Sequence, residues 1–321
     1  MKILAMVLAG GNGTRLHPLT AEHAKPALPF SHDYRIVDFV LSNLVNSDIS
    51  SIYVLVQYKP RSLIAHICSA WAPRSGGMQA SITIASSETN GGGGRPFKGT
   101  ADAVYQNLHL IERERPDLVA VFAADHVYRM DVRQMARFHQ ERGAEVSIAA
   151  VPVPIEEASA FGIMATDSAG RLLDFREKPE RPAPMPIDPH RSYASMGNYL
   201  FDPEILAELL EQANRRGDTD FGHQILPRLP HNYRAFAYDF WNNRIPGVRP
   251  HEERGYWRDI GTVDAYHAAQ RDVLGLAPRF SLVNSQWPIR GDARRVPKPM
   301  VSMGIPHEPE AISEFPKWPL I

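Results

Sequence analysis

Three glycines, an arginine and a lysine stand close together near the start of the chain, in Leu8-Ala9-Gly10-Gly11-Asn12-Gly13-Thr14-Arg15-Leu16 and Ala24-Lys25-Pro26-Ala27. Glycines let backbone N–H groups converge on an anion, and an arginine adds a permanent charge with several donors, so this run could cradle a phosphate. It is neither the Walker sequence nor the dinucleotide fingerprint GxGxxG, and a tight structural turn is about as common a use of such a run. Two acids follow strand-like stretches: Asp125 in Phe122-Ala123-Ala124-Asp125-His126-Val127-Tyr128 and Asp259 in Tyr256-Trp257-Arg258-Asp259-Ile260-Gly261-Thr262. Each alone reads as a turn residue or a helix cap, although Thr262 is the better-placed cap for the helix that follows. Brought together, two carboxylates suit Mg²⁺ shared with substrate phosphates. Glu177 and Lys178, at the end of Phe175-Arg176-Glu177-Lys178-Pro179, read either as a solvated surface pair or as a phosphate grip beside an acceptor for sugar hydroxyls.

Such residues need elements that end where the chemistry is. Short apolar, β-branched runs predict strands over 3–9, 51–58, 118–123 and 145–153, and the pattern is that of buried parallel strands. Helical spacing joins Ile36, Val37, Val40, Leu41, Leu44 and Val45, and likewise Val104, Leu108 and Ile111. A third helix is predicted from Asp131 as cap to Gly143 as stop, a fourth from Asp202 and Pro203 to Gly217, and a fifth over 263–274. Alternating elements predict an α/β fold with a doubly wound, mostly parallel sheet. Gly91 to Gly94 read as a surface loop, and five prolines between Pro179 and Pro189 as an extended excursion. Eight prolines in 278–321 and the lack of a sustained period divide the chain into a domain at 1–278 and a proline-rich tail at 279–321.

Composition narrows the classes further. The 321 residues carry 35 Lys and Arg against 36 Asp and Glu, a net charge of −1, which argues against a basic nucleic-acid footprint. With 44% hydrophobic and 22% charged residues, wholesale disorder is excluded. One cysteine, Cys68, and no CxxC or HExxH spacing leave neither a disulfide framework nor a local zinc site, and a reducing cytoplasm is expected. The apolar opening stops at Gly10-Gly11 and no apolar run of about 18 residues follows, so it reads as a buried first strand and no membrane partner is expected.

The glycine run with Lys25-Pro26 resembles the sugar nucleotidylyltransferase signature, and five longer strings resemble the bacterial glucose-1-phosphate adenylyltransferase family in particular. These are Tyr34 to Asn43, Gly99-Thr100-Ala101-Asp102-Ala103-Val104, Pro152 to Gly162, Ala194-Ser195-Met196-Gly197 and Tyr256 to Thr262. The resemblance covers roughly residues 1–290. It implies a Rossmann-like nucleotidyltransferase fold, ATP and glucose 1-phosphate as substrates, ADP-glucose and pyrophosphate as products, and a place in glycogen synthesis. It further implies Mg²⁺ on Asp125 and Asp259. Arg15, Lys25 and the backbone of Gly10, Gly11, Gly13 and Thr14 would hold the triphosphate. Gln57, Gly99 and Thr100 would read adenine and ribose, and Gly162, Glu177, Lys178 and Ser195 the sugar phosphate. As assemblies it allows a homo-oligomer or a hetero-oligomer with a full-length homologue.

Two rivals stand beside this reading: a non-catalytic, sugar-phosphate-binding regulatory homologue, and a transferase of different base or sugar specificity. The chain also departs from the family pattern. Glu22-His23 replaces basic residues before Ala-Lys-Pro, Pro96-Phe97-Lys98 replaces an aromatic-rich stretch, and the 31 residues after Arg290 lack the hexapeptide period of a β-helix. The expectation is a weakly regulated form.

Overall fold

The computed structural model describes residues 1–72, 80–86 and 95–291. The predicted loop at Gly91 to Gly94, and the tail residues from 292 onward, lie outside the described residues.

Among the described residues nine strands form one mixed sheet. Its path runs Leu172–Glu177, Gly162–Thr166, Arg191–Phe201, Leu118–Ala123, Ile3–Ala9, Ser51–Val56 and Ser81–Ser86, and Arg191–Phe201 also pairs with Val146–Pro154, which pairs with Ala235–Asp239. The first strand is parallel to both neighbours, Leu4 facing Ser51 on one side and Ile3 facing Leu118 on the other. Arg191–Phe201 joins this parallel block to the rest by antiparallel pairing.

The continuous apolar run of the first strand follows from burial on both faces. Ile3, Ala5 and Val7 pack with Val37, Val40 and Leu44 of the helix Ile36–Asn46, whereas Leu4 and Met6 pack on the opposite face with Val104 and with Leu206 and Leu210 of Pro203–Arg216. A fully buried leucine stabilises by about 1.5–3 kcal/mol, so a Leu4→Ala cavity at this central position would cost about 2–5 kcal/mol.

Most predicted elements are present, with local corrections. The helix expected through Val104, Leu108 and Ile111 is two helices, Thr100–Tyr105 and Leu108–Glu114. Asn107 breaks it: its side-chain amide takes the Ala103 carbonyl at 2.8 Å while its backbone N–H turns to Val104 at 2.9 Å. The second strand stops at Val56, because the Gln57 side chain binds the Phe97 backbone and Lys59 enters the left-handed region before the helix Pro60–Ala70. Asp202 sits at its helix start without capping it, its carboxylate lying 3.2 Å from His139 Nε2. Arg191–Phe201 escaped the sequence reading, since Gly197 and a register shift between Ser195 and Tyr199 interrupt its alternation.

Residues 279–291 pack onto the body. Phe280 stacks near Tyr256 at 4.7 Å between ring centroids, Trp287 is buried, and the Arg290 N–H donates to Ser42 Oγ at 2.8 Å.

Candidate active site

At the carboxyl ends of the parallel strands lies a cleft of about 470 Å³, where open α/β sheets place their ligands. The first strand delivers the glycine run to it. Gly13 adopts φ 60°, and a side chain there would meet Thr20 Cγ2 at 3.0 Å and Lys25 Cβ at 3.2 Å. The loop backbone therefore rests directly on the stem of Lys25, a contact that requires glycine. Arg15, in the short turn Thr14–Leu16, is exposed at the mouth and has no carboxylate partner among the described residues.

A two-stranded ribbon supplies the acids. His126–Tyr128 pairs antiparallel with Trp257–Asp259, and the register sets Asp259 opposite His126. Two carboxylates distant in sequence thus face one ammonium: Lys25 Nζ donates to Asp125 Oδ2 at 2.7 Å and to Asp259 Oδ1 at 3.4 Å. Burial alone would lower the Lys25 pKa, yet the two neighbouring charges and hydrogen bonds outweigh it and hold the ammonium above the ordinary lysine value. Burial likewise pushes the Asp125 carboxyl upward, and Lys25 and His126 more than reverse this, leaving it well below the usual carboxylate range.

His126 joins the acids. Its Nε2 lies 3.0 Å from Asp125 Oδ1 and 3.9 Å from Asp259 Oδ1, and its ring packs on Trp257 at 5.4 Å. Asp125, His126 and Asp259 each offer one atom within 4.8 Å of the others. The two carboxylates suit a hard divalent cation that shares oxygen ligands with phosphates, and the ammonium held between them shows that the spot favours positive charge.

The opposite wall comes from the antiparallel block. Leu172–Glu177 ends with the Glu177 carboxylate in the cleft, and Lys178 follows with φ 46° and its Nζ 2.7 Å from Glu177 Oε1. A non-glycine residue held there stores roughly 1–3 kcal/mol of backbone strain, and the Lys178 N–H donating to the Phe161 carbonyl at 2.9 Å helps hold it. Gly162 admits the carboxylate: a side chain at 162 would lie 2.6 Å from Phe175 Cζ and 2.7 Å from Glu177 Oε2. The register shift in Arg191–Phe201 turns Ser195 and Gly197 toward the same space.

Of the residues singled out in the sequence, Gly11, Gly13, Thr14, Arg15, Lys25, Thr100, Asp125, Gly162, Glu177, Lys178, Ser195 and Asp259 line this one cleft. Gly10, Gln57 and Gly99 do not. Gln57 spends both ends of its amide on the Phe97 backbone, donating from Nε2 to the carbonyl at 2.9 Å and accepting the N–H. Gly99 packs against Thr219, whose carbonyl accepts the Ala101 N–H at 2.8 Å.

A nucleotidyl transferase family model matches residues 4–275. The chain is 51% identical over 289 residues to a glucose-1-phosphate adenylyltransferase of Thermodesulfovibrio yellowstonii, covering 90% of this chain and 70% of that one. Similar relatives of the same name come from an Anaeromyxobacter species, 50% identical over 90% of this chain and 70% of the relative, and from Thermus thermophilus, 47% identical over 90% and 71%. The chain belongs to the glucose-1-phosphate adenylyltransferase family.

The family cleft holds residues that sequence reasoning passed over. His126 and Trp257 sit inside strings already quoted, adjacent to or two residues from an acid, so proximity was an available signal. Asp220, Phe221 and His223 also line the cleft, and no spacing rule marked them. Asp220 accepts from Thr100 Oγ1 at 3.0 Å and from the His223 N–H at 2.9 Å. Burial raises its pKa, but these bonds and the His223 ring hold it below the usual carboxylate value.

Proposed function

We propose that this protein transfers the adenylyl group of ATP to α-D-glucose 1-phosphate, giving ADP-glucose and pyrophosphate for α-glucan synthesis in the cytoplasm. The observation that carries the reading is the convergence of Asp125, Asp259 and Lys25 beneath the glycine run, across one cleft from Glu177 and Lys178. An oxygen of the sugar phosphate attacks the α-phosphorus in line, the bond from that phosphorus to the bridging oxygen breaks, and pyrophosphate leaves with the electron pair. Both partners are anions, so positioning and charge stabilisation supply most of the catalysis.

Each group has a task that its place supports. The backbone of Gly11 to Thr14 and the exposed guanidinium of Arg15 bind the triphosphate at the mouth. Lys25 reaches the reacting phosphates from the floor. Mg²⁺ held by Asp125 and Asp259 would neutralise charge on the α-phosphate and the leaving pyrophosphate. Lys178 takes the phosphate of the sugar substrate, while Glu177, through the space left by Gly162, and Ser195 accept or donate to its hydroxyls. Thr100 lines the nucleotide side, and Gln57 and Gly99 act there by holding Phe97 and the helix Thr100–Tyr105. No helix among the described residues is long and apolar enough to cross a membrane.

Pyrophosphate release measured with ATP, UTP and dTTP, each with and without glucose 1-phosphate, tests the reading. ATP with the sugar phosphate should exceed either other nucleotide by a factor of about 10 or more, the size expected when a wrong base leaves polar groups unpaired. Equal rates would assign a broader base specificity. Binding of the sugar phosphate without turnover would assign a regulatory homologue.

A further inference from the structure

The ammonium of Lys25 lies where a divalent cation would have to be ligated. It is within 2.7 Å of one carboxylate and 3.4 Å of the other, and its side chain is only 9% exposed. With two carboxylates and one ammonium, the cluster carries a net charge of about −1 when His126 is neutral. A bare metal ion entering this cleft must share these two carboxylates with an ammonium already bonded to one oxygen of each. The stem of the same lysine bears against Gly13, the left-handed residue of the run that faces the triphosphate. The group that occupies the acids is thus in contact with the glycine run to which the adenylyl-transfer reading assigns the triphosphate.

We propose that Lys25 serves as a built-in placeholder cation: it neutralises Asp125 and Asp259 while the cleft lacks nucleotide, and moves to the phosphates when the nucleotide arrives, freeing both carboxylates for the metal. The proposal rests on the adenylyl-transfer reading and adds to it an order of events. Free divalent metal binds the resting protein weakly, and productive metal enters with the triphosphate. Two physical consequences follow. The paired carboxylates are kept from repelling one another without metal, and the resting cleft is protected from capture of stray divalent ions. His126 keeps its contact with Asp125 through the exchange, because its ring is clamped on Trp257 and its backbone is paired in the ribbon.

The test is metal binding alone, with neither ATP nor sugar phosphate present. Mn²⁺ titration followed by the loss of its free-ion paramagnetic resonance signal reads the affinity of the full chain. Lys25→Met keeps the length of the side chain and removes the charge, and should bind Mn²⁺ at least about 10-fold more tightly than the parent. Lys25→Arg, which keeps the charge, should not gain affinity, and adding Asp125→Asn to Lys25→Met should abolish the gain. Thermal melts give a second readout: Mg²⁺ should raise the Tm of Lys25→Met by more than it raises that of the parent. If Lys25→Met is folded by circular dichroism and binds Mn²⁺ no more tightly than the parent, the placeholder role is overturned. If Lys25→Met does not fold without metal but is recovered by Mg²⁺, the role is supported, whereas failure to recover overturns it. Because no nucleotide is present, these outcomes are independent of whether ATP is the substrate, which pyrophosphate release decides separately.

Discussion

The cleft has a lysine–carboxylate pair at each end, and both pairs measure 2.7 Å. Their surroundings differ. Lys25 is 9% exposed and bridges two acids brought together by a ribbon, whereas Lys178 is 48% exposed and, among the described residues, pairs with its sequence neighbour Glu177. An exposed pair is worth about 0–1 kcal/mol, so Lys178 can exchange Glu177 for an incoming phosphate at little cost. The other pair has its lysine buried and its acids part-exposed, Asp125 at 34% and Asp259 at 27%. Moving the ammonium away leaves two like charges close together, so a positive group is favoured in its place. One end of the cleft is therefore built to admit an anion readily, and the other to exchange one cation for another.

The largest effect should come from the buried end. Asp125→Asn and Asp259→Asn should each lower kcat by about 10²-fold or more, since each removes charge where the transition state needs it. Near-normal turnover in either variant, by pyrophosphate release, would break the assignment of the chemistry to this end. At the exposed end, Lys178→Gln should raise KM for glucose 1-phosphate by about 10-fold while leaving KM for ATP within about 2-fold. A parallel rise in both constants would erase the distinction between the two ends.

A finer probe is Gly162→Ala. Its methyl group would press on Phe175 and on the Glu177 carboxylate, costing about 1–3 kcal/mol of stability and weakening the sugar side alone. Melts together with the two KM values would show whether Glu177 is placed by that packing; an unchanged KM for the sugar phosphate would say that it is not.

The smallest effect lies outside the cleft and serves as a control. His139 is buried between Ser147 Oγ at 2.9 Å and Asp202 at 3.2 Å, and burial, partly opposed by Asp202, lowers its pKa. Its imidazole takes up a proton less readily in the folded state than in the unfolded chain, which begins to protonate near pH 6.5, so stability is full above that value and falls as pH drops below it. His139→Gln should flatten this acid loss between about pH 8 and about pH 5 in thermal melts and leave both KM values unchanged. An undiminished acid loss would place the sensitive group elsewhere.

The sequence was most legible where local rules act alone. Buried parallel strands show as unbroken apolar runs, and the bounds of Ile3–Ala9 and Leu118–Ala123 could be read directly because both faces are covered. Thr262 could be named as a cap because an N-cap depends on one side chain and the next turn, and it accepts the Ala265 N–H at 3.1 Å. Legibility failed where a distant partner overrides the local preference. The Asp202 carboxylate turns to His139 instead of its own helix, and Gln57 turns to Phe97, 40 residues away in the chain.

The chemistry divides in the same way. Residue types and strings alone determined which side chains are available: a glycine run that can meet phosphate, two strand-end acids, and a Glu-Lys step before a proline. Only the tertiary structure decided that Asp125 and Asp259, 134 positions apart, share one ammonium, since that depends on the antiparallel register of Trp257–Asp259 against His126–Tyr128. It also decided that Lys178 is strained and exposed while Lys25 is buried, although both are lysines followed by proline. The physical reason is that charge takes its energy from its surroundings, and those are assembled by packing among segments that the sequence keeps far apart.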